Sequence, residues 1–266
     1  MVELNSVGRK HALESNFQAN KALGWSLRRV DALAANAVAH QPPSCLRDPE
    51  KACFLSHIKA IETAKLSAGH VMIAEDDIQF GARSLAAIDA ALARAPADSW
   101  DIIFTDIWVT STHAMLDLLL LRRRVCGDAA PRLINLGRMP FVGATAYIVN
   151  ANSRDKILYL LPRGDPLEIP YDVYLQQLIH NNRLRGFVTF PFATTLSSNA
   201  ETSQIEEAPS RDKTAMNAFR RLMWLERDIG AAAASIDKVR TGMDDPETLA
   251  FLKILSVFLA PDFEEK

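Results

Sequence analysis

Four consecutive apolar residues, Val71 to Ala74, run directly into three acids, Glu75, Asp76 and Asp77. A short continuous apolar run of this kind reads as a buried strand of a parallel sheet. Its carboxyl end then carries three adjacent carboxylates, which repel one another unless a cation compensates them. Ligands of open α/β sheets bind at that edge. A hard divalent ion with oxygen ligands answers such a cluster, and it can also hold a diphosphate and neutralise charge on a leaving group. The competing explanation is a polar turn with a helix N-cap.

The rest of the chain alternates in the same manner. Val2 to Leu4 reads as a short first strand and His11 to Leu23 as a helix with Leu13, Phe17 and Leu23 on one face. Leu27 to Leu33 reads as a second strand, and Gln41 to Ser44 as a loop. Phe54, Leu55, Ile58, Ile61 and Ala64 have helical spacing within Ala52 to Leu66, and Gly69 follows as a breaker. Ala82 to Arg94, Ser153 to Leu161 and Tyr171 to His180 are further helices, the first two ended by Pro96 and Pro162. Asp101 to Thr105, Phe141 to Val149 (with Gly143 inside it) and Leu184 to Phe190 are strands. Thr194 to Pro209 reads as a polar loop, and Lys213 to Arg227 and Pro246 to Leu259 as helices. This alternation implies an α/β fold with a mainly parallel central sheet flanked by helices. The boundaries drawn from it are a main domain at 1–210 and a helical carboxyl-terminal appendage at 211–266.

With 266 residues, 48% of them hydrophobic, the chain can bury a substantial core. A formal charge of -2 gives no footprint for nucleic acid. Three cysteines without a CxxC pair fit reduced thiols in the cytoplasm. No signal peptide is expected, because the first ten residues are polar. The longest apolar run, Met115 to Leu121, contains Asp117 and is too short to span a bilayer. The run Arg122 to Arg124 reads as a solvated face, with a weaker alternative as a contact for an anionic acceptor at the inner membrane.

The segment Ala52-Cys-Phe-Leu-Ser-His57, followed by Val71 to Asp77, resembles glycosyltransferase family 25, which includes bacterial lipooligosaccharide galactosyltransferases and collagen galactosyltransferases. The family hallmark is Cys-x-x-Ser-His on a helix followed by a hydrophobic strand ending in Glu-Asp-Asp. Looser echoes are Leu4-Asn5 with Arg9, Trp100 to Ile103, Phe141 to Ile148, and Pro170-Tyr-Asp172. The resemblance covers about three quarters of the chain. It implies a GT-A-like nucleotide-binding domain and inverting transfer of a hexose, galactose in the usual case, from a uridine diphosphate sugar. Manganese, or magnesium, would be the ion, and a saccharide of the lipooligosaccharide type the acceptor. Glu75 and Asp77 would then take the metal, with Glu75 also on the donor, and Asp76 would brace the site.

The resemblance also has departures. Only Met1 to Glu3 precede Leu4, so the first strand is clipped or its start lies upstream. Ser6 and Val7 replace the acid of the family's opening turn, and Asp106 stands where a small residue is expected.

Further candidates follow from residue chemistry. Asn5 and Arg9 are suited to the uridine or its phosphates, Arg by its fork of donors; the alternative for Arg9 is a solvated helix start. Ser56 and His57 are candidate donor contacts, while Cys53 reads as a packed small residue. An inverting transferase needs a base for the acceptor hydroxyl. Asp172 is the first choice, Asp106 and Glu168 the others, and a helix-capping role for Asp172 stands beside it. Tyr147 reads as a core residue. Two rivals to a transferase remain: a metal-dependent phosphoesterase, and a non-catalytic nucleotide-sugar-binding module.

Overall fold

The computed structural model describes residues 3–38, 42–124, 131–162, 166–197 and 211–226. Helix α1 spans Glu3–Ala19, α2 Asp48–Ala64, α3 Ser84–Arg94, α4 Thr112–Arg124, α5 Arg154–Leu160, α6 Tyr171–His180 and α7 Arg211–Met223. Strands are β1 Val71–Ala74, β2 Ile78–Phe80, β3 Ile102–Phe104, β4 Trp108–Val109, β5 Arg132–Asn135, β6 Phe141–Val142, β7 Ala146–Val149, β8 Gly186–Phe190 and β9 Thr194–Leu196.

The fold is α/β, and the expected mainly parallel sheet is corrected to a mixed one. The central sheet has the order β1-β7-β3-β8-β5. β7 runs antiparallel to both β1 and β3, and β5 antiparallel to β8, leaving β3–β8 as the parallel pair. Apolar runs buried on both faces look alike whichever way their neighbours run, so the sequence pattern does not carry direction.

Other boundaries also move. Glu3 and Leu4 belong to α1 rather than to a strand, because a three-residue strand needs a ladder partner and the helix supplies its own hydrogen bonds. Leu13 and Phe17, four residues apart, turn that helix toward the core, while Leu23 lies beyond its end and is fully exposed. Leu27 to Leu33 has no regular structure; side chains of α2 hold it, with Leu33 N donating to Ser56 Oγ at 2.8 Å and Lys59 Nζ donating to the Asp31 carbonyl at 2.7 Å. α2 starts earlier than its apolar spacing implies, because Glu50 Oε2 accepts from the Arg47 amide at 2.8 Å and closes the first turn.

The run Phe141 to Val149 is two strands. Gly143 at φ 91° breaks it, and β6 pairs with β4 while β7 enters the central sheet. Thr194 to Leu196, read as loop, pairs with β2, and residues 198–209 of that loop lie outside the described residues. Of the segment assigned to an appendage, α7 packs Ala218, Phe219, Leu222 and Met223 into the main core; residues 227–266, including the helix read at Pro246 to Leu259, lie outside the described residues. Among the described residues, no helix is long and apolar enough to cross a membrane.

Because β7 reverses between β1 and β3, the carboxyl ends of β1, β3 and β8 lie along one edge of the sheet. The Glu75 amide donates to the Thr145 carbonyl at 2.8 Å and the Thr105 amide to the Ala146 carbonyl at 3.1 Å, so residues 75, 105 and 145 share a level. The opposite edge is tied by Asp101. Its side chain is 1% exposed and accepts from Arg185 N (2.8 Å), Arg185 Nη2 (3.0 Å), Lys156 Nζ (2.7 Å) and Ser153 Oγ (2.7 Å). Burial alone would push this carboxyl up, but the bonds from Arg185, Lys156 and Ser153 together hold it well below the usual carboxylate range.

The stabilisation from Asp101 is therefore full above its unfolded pKa of about 4 and declines as pH falls toward the folded value. Asp101→Asn is expected to cost about 1.5–3 kcal/mol in urea unfolding at pH 7. The gap between variant and wild type should narrow when the titration is repeated at pH 3, where the unfolded chain takes up the proton and the folded carboxyl does not.

Candidate functional site

The acidic triplet sits at the edge formed by the carboxyl ends of β1, β3 and β8. The structure splits it between two sets of partners. Glu75 turns toward α2: its Oε1 lies 3.2 Å from His57 Nε2. Asp76 and Asp77 turn toward α1: Arg9 Nη2 pairs with Asp76 Oδ1 and lies 3.8 Å from Asp77 Oδ2. Helix α1 thus brings a guanidinium onto two of the three acids, and Arg9 is largely buried by the contact.

Asp77 is the most constrained of the three. The amide of Ser197, just past β9, donates to its carbonyl at 2.7 Å, and its buried Oδ1 has no hydrogen-bond partner. Burial first, then the charge of Glu75, push its carboxyl up to about 7 against the opposing pull of Arg9 and Arg220. A carboxylate that is buried, crowded by a second acid and left with an open oxygen is what a cation would relieve.

His57 is buried and fixed on three sides. Its Nδ1 is 3.0 Å from Tyr147 Oη, and that hydroxyl is 2.8 Å from Tyr171 Oη. Its ring stacks on Tyr171 with centroids 4.2 Å apart and planes at 3°. Helix α2 places Cys53 one turn before His57 on the same face. The Cys53 sulfur, a His57 ring nitrogen and a Glu75 carboxylate oxygen lie within 4.8 Å of one another. Burial first, then the charges of Glu75, Asp172 and Asp77, push the Cys53 thiol far up.

A second charged pair underlies this edge. Arg220 of α7 is 1% exposed and pairs with Asp106 at 0%. It also donates to Thr145 Oγ1 at 3.1 Å and lies 5.5 Å from the Trp108 ring centroid. Its Nε and Nη1, and Asp106 Oδ1, have no hydrogen-bond partners.

The other sequence candidates separate from the triplet. Asp172, in the first turn of α6, accepts from the Gly143 amide at 2.8 Å, so it fixes the break between β6 and β7 rather than an amide of its own helix. Ser56 Oγ donates to the Ala52 carbonyl at 2.6 Å while accepting from Leu33, which occupies it structurally. Glu168 accepts from the Cys45 amide at 3.3 Å. Asn5 lies in α1, and its side chain is outside the described residues. Three residues at this edge were missed as site residues by sequence reasoning. The helical spacing of Cys53 to His57 carried a readable signal of a shared face. Tyr147 sat inside an apolar run with no mark of its hydroxyl's role. Arg220, 114 residues beyond Asp106, carried none.

The chain was compared with protein-family models and with curated proteins, and none matches.

The raised Asp77 carboxyl has a measurable consequence. Native Asp77 binds its proton more tightly than the unfolded chain does, so stability is greatest below pH 4 as far as this group is concerned and is lost as pH rises through about 7. In metal-free protein, Asp77→Asn should abolish that decline. Urea midpoints between pH 5 and pH 8 should fall in wild type relative to the variant.

Proposed function

We propose that this protein is a glycosyltransferase that uses a nucleotide-sugar donor and a divalent cation held at the end of β1 by Glu75 and Asp77. The observation that supports it is the partnerless, buried Asp77 oxygen beside Glu75 at the carboxyl edge of the sheet. The chemistry of the donor set, two carboxylates on a rigid strand end, suits Mn2+ or Mg2+. When bound, such an ion supplies charge neutralisation to a departing diphosphate. Asp76, paired with Arg9, braces the turn. His57, held by Tyr147 and Tyr171, stands 3.2 Å from Glu75. Asp172 is the base of this reading, held in place by the Gly143 amide. By the sequence resemblance, the donor is a uridine diphosphate hexose, galactose first, transferred with inversion to a saccharide of the lipooligosaccharide type, on the cytoplasmic side of the inner membrane.

One observation favours a second reading. Arg9 already places positive charge against Asp76 and Asp77, as a cation would. In that reading the protein is a non-catalytic nucleotide-sugar-binding module whose arginine stands in for the ion.

Calorimetric titration of uridine diphosphate with and without Mn2+ tests both. Binding that requires Mn2+ and weakens at least about tenfold in Asp77→Ala supports the transferase. Binding that ignores Mn2+ and weakens in Arg9→Gln supports the module. Wild-type protein that binds under neither condition overturns both.

A further inference from the structure

We propose that Cys53, His57 and Glu75 form a site for a thiophilic divalent cation of the zinc class. The proposal goes beyond the glycosyltransferase reading and does not rest on it, although the two share Glu75. A hard ion at Glu75 and Asp77 uses oxygen ligands alone; this site adds a sulfur and an imidazole nitrogen, which select a softer metal.

The geometry is near what such an ion needs. Zinc lies about 2.3 Å from a thiolate sulfur and about 2.0–2.2 Å from imidazole nitrogen and carboxylate oxygen, so ligand atoms across a tetrahedral ion are about 3.3–3.7 Å apart. His57 Nε2 and Glu75 Oε1 are 3.2 Å apart, and no pair within the trio exceeds 4.8 Å. Contraction by about 1 Å closes the widest pair. Glu75 can supply it, since its side chain is 38% exposed.

The surroundings match those of a metal-bound histidine. Such histidines donate their second ring N–H to an oxygen acceptor, which fixes the tautomer and leaves the other nitrogen's lone pair for the metal. Here Tyr147 Oη is placed to accept from Nδ1, and it passes its own proton toward Tyr171 Oη. In that tautomer Nε2 and Glu75 Oε1 are two acceptors facing each other at 3.2 Å, an arrangement that a cation between them resolves. The parallel stack on Tyr171 holds the ring plane, and α2 delivers the sulfur and the nitrogen from one helix face. With three protein ligands and a partly exposed carboxylate, the fourth position faces solvent, as in open zinc sites.

Cobalt(II) is the probe, because its thiolate complexes absorb in the near ultraviolet and tetrahedral ones in the visible. Metal-free full-length protein titrated with Co2+ should develop both bands, and Zn2+ should bleach them at one equivalent. Cys53→Ser and His57→Gln should each weaken Zn2+ binding at least about tenfold, and Tyr147→Phe, which removes the acceptor behind His57 together with its link to Tyr171, by about 10–100-fold. Asp77→Asn and Cys45→Ser should keep the bands, whatever Asp77→Asn does to uridine diphosphate binding; that variant separates this proposal from the transferase reading. Far-ultraviolet circular dichroism of each metal-free variant confirms folding. Absence of a thiolate band in wild type, or its persistence in Cys53→Ser, overturns the proposal.

Discussion

Three carboxylates in one turn at a sheet edge are the constraint around which this structure is arranged. Their mutual repulsion at the end of a buried strand has to be offset by positive charge or by protons. The fold brings Arg9 from α1 and Arg220 from α7, helices far apart in sequence, to bear on that edge. The offset is incomplete at Asp77, whose carboxyl stays raised and keeps an oxygen open. The proposed nucleotide-sugar site descends from that residual deficit.

Positive charge enters by two routes with different physical character. The Arg9 pair is partly solvated, so its attraction is screened and the guanidinium can yield to a competing cation. The Arg220–Asp106 pair is buried, with donors and an acceptor oxygen unsatisfied. Pairs of that kind contribute little net stability relative to apolar packing, yet removing one partner leaves a buried charge exposed to its full desolvation penalty. Arg220 is therefore best understood as fixing α7 against the edge through Asp106, Thr145 and Trp108, while lending its field to Asp77.

The histidine arrangement belongs to the same economy of space. Tyr147 on β7 and Tyr171 on α6 hold His57 through two hydroxyls and a ring stack, so its position is set by the core rather than by a loop. Glu75 thereby meets α2 through His57. The acids of one tripeptide end up facing different neighbours, a guanidinium on one side and a thiol and an imidazole on the other.

The sequence by itself determined several of the local elements and the placement of the acids at the end of β1. The apolar run at Val71 to Ala74, the spacing in α2, the Pro170 entry to α6 and the strands at Ile102 to Phe104 and Gly186 to Phe190 were legible because periodicity and turn chemistry act within a few residues. Strand direction was not, because it depends on which strand lies alongside. The split at Gly143 was not, because β6 and β7 differ only in their partners. The fate of Glu3 and Leu4 was not, because a short apolar stretch becomes strand only where a ladder awaits it. Within the site, the triplet and the Ser56–His57 pair were readable as types, but the roles of Tyr147, Asp172 and Arg220 were decided by tertiary contact across distances in sequence that no local pattern spans. Side-chain chemistry is written in the residue; the partner that gives it an environment is chosen only when the chain folds.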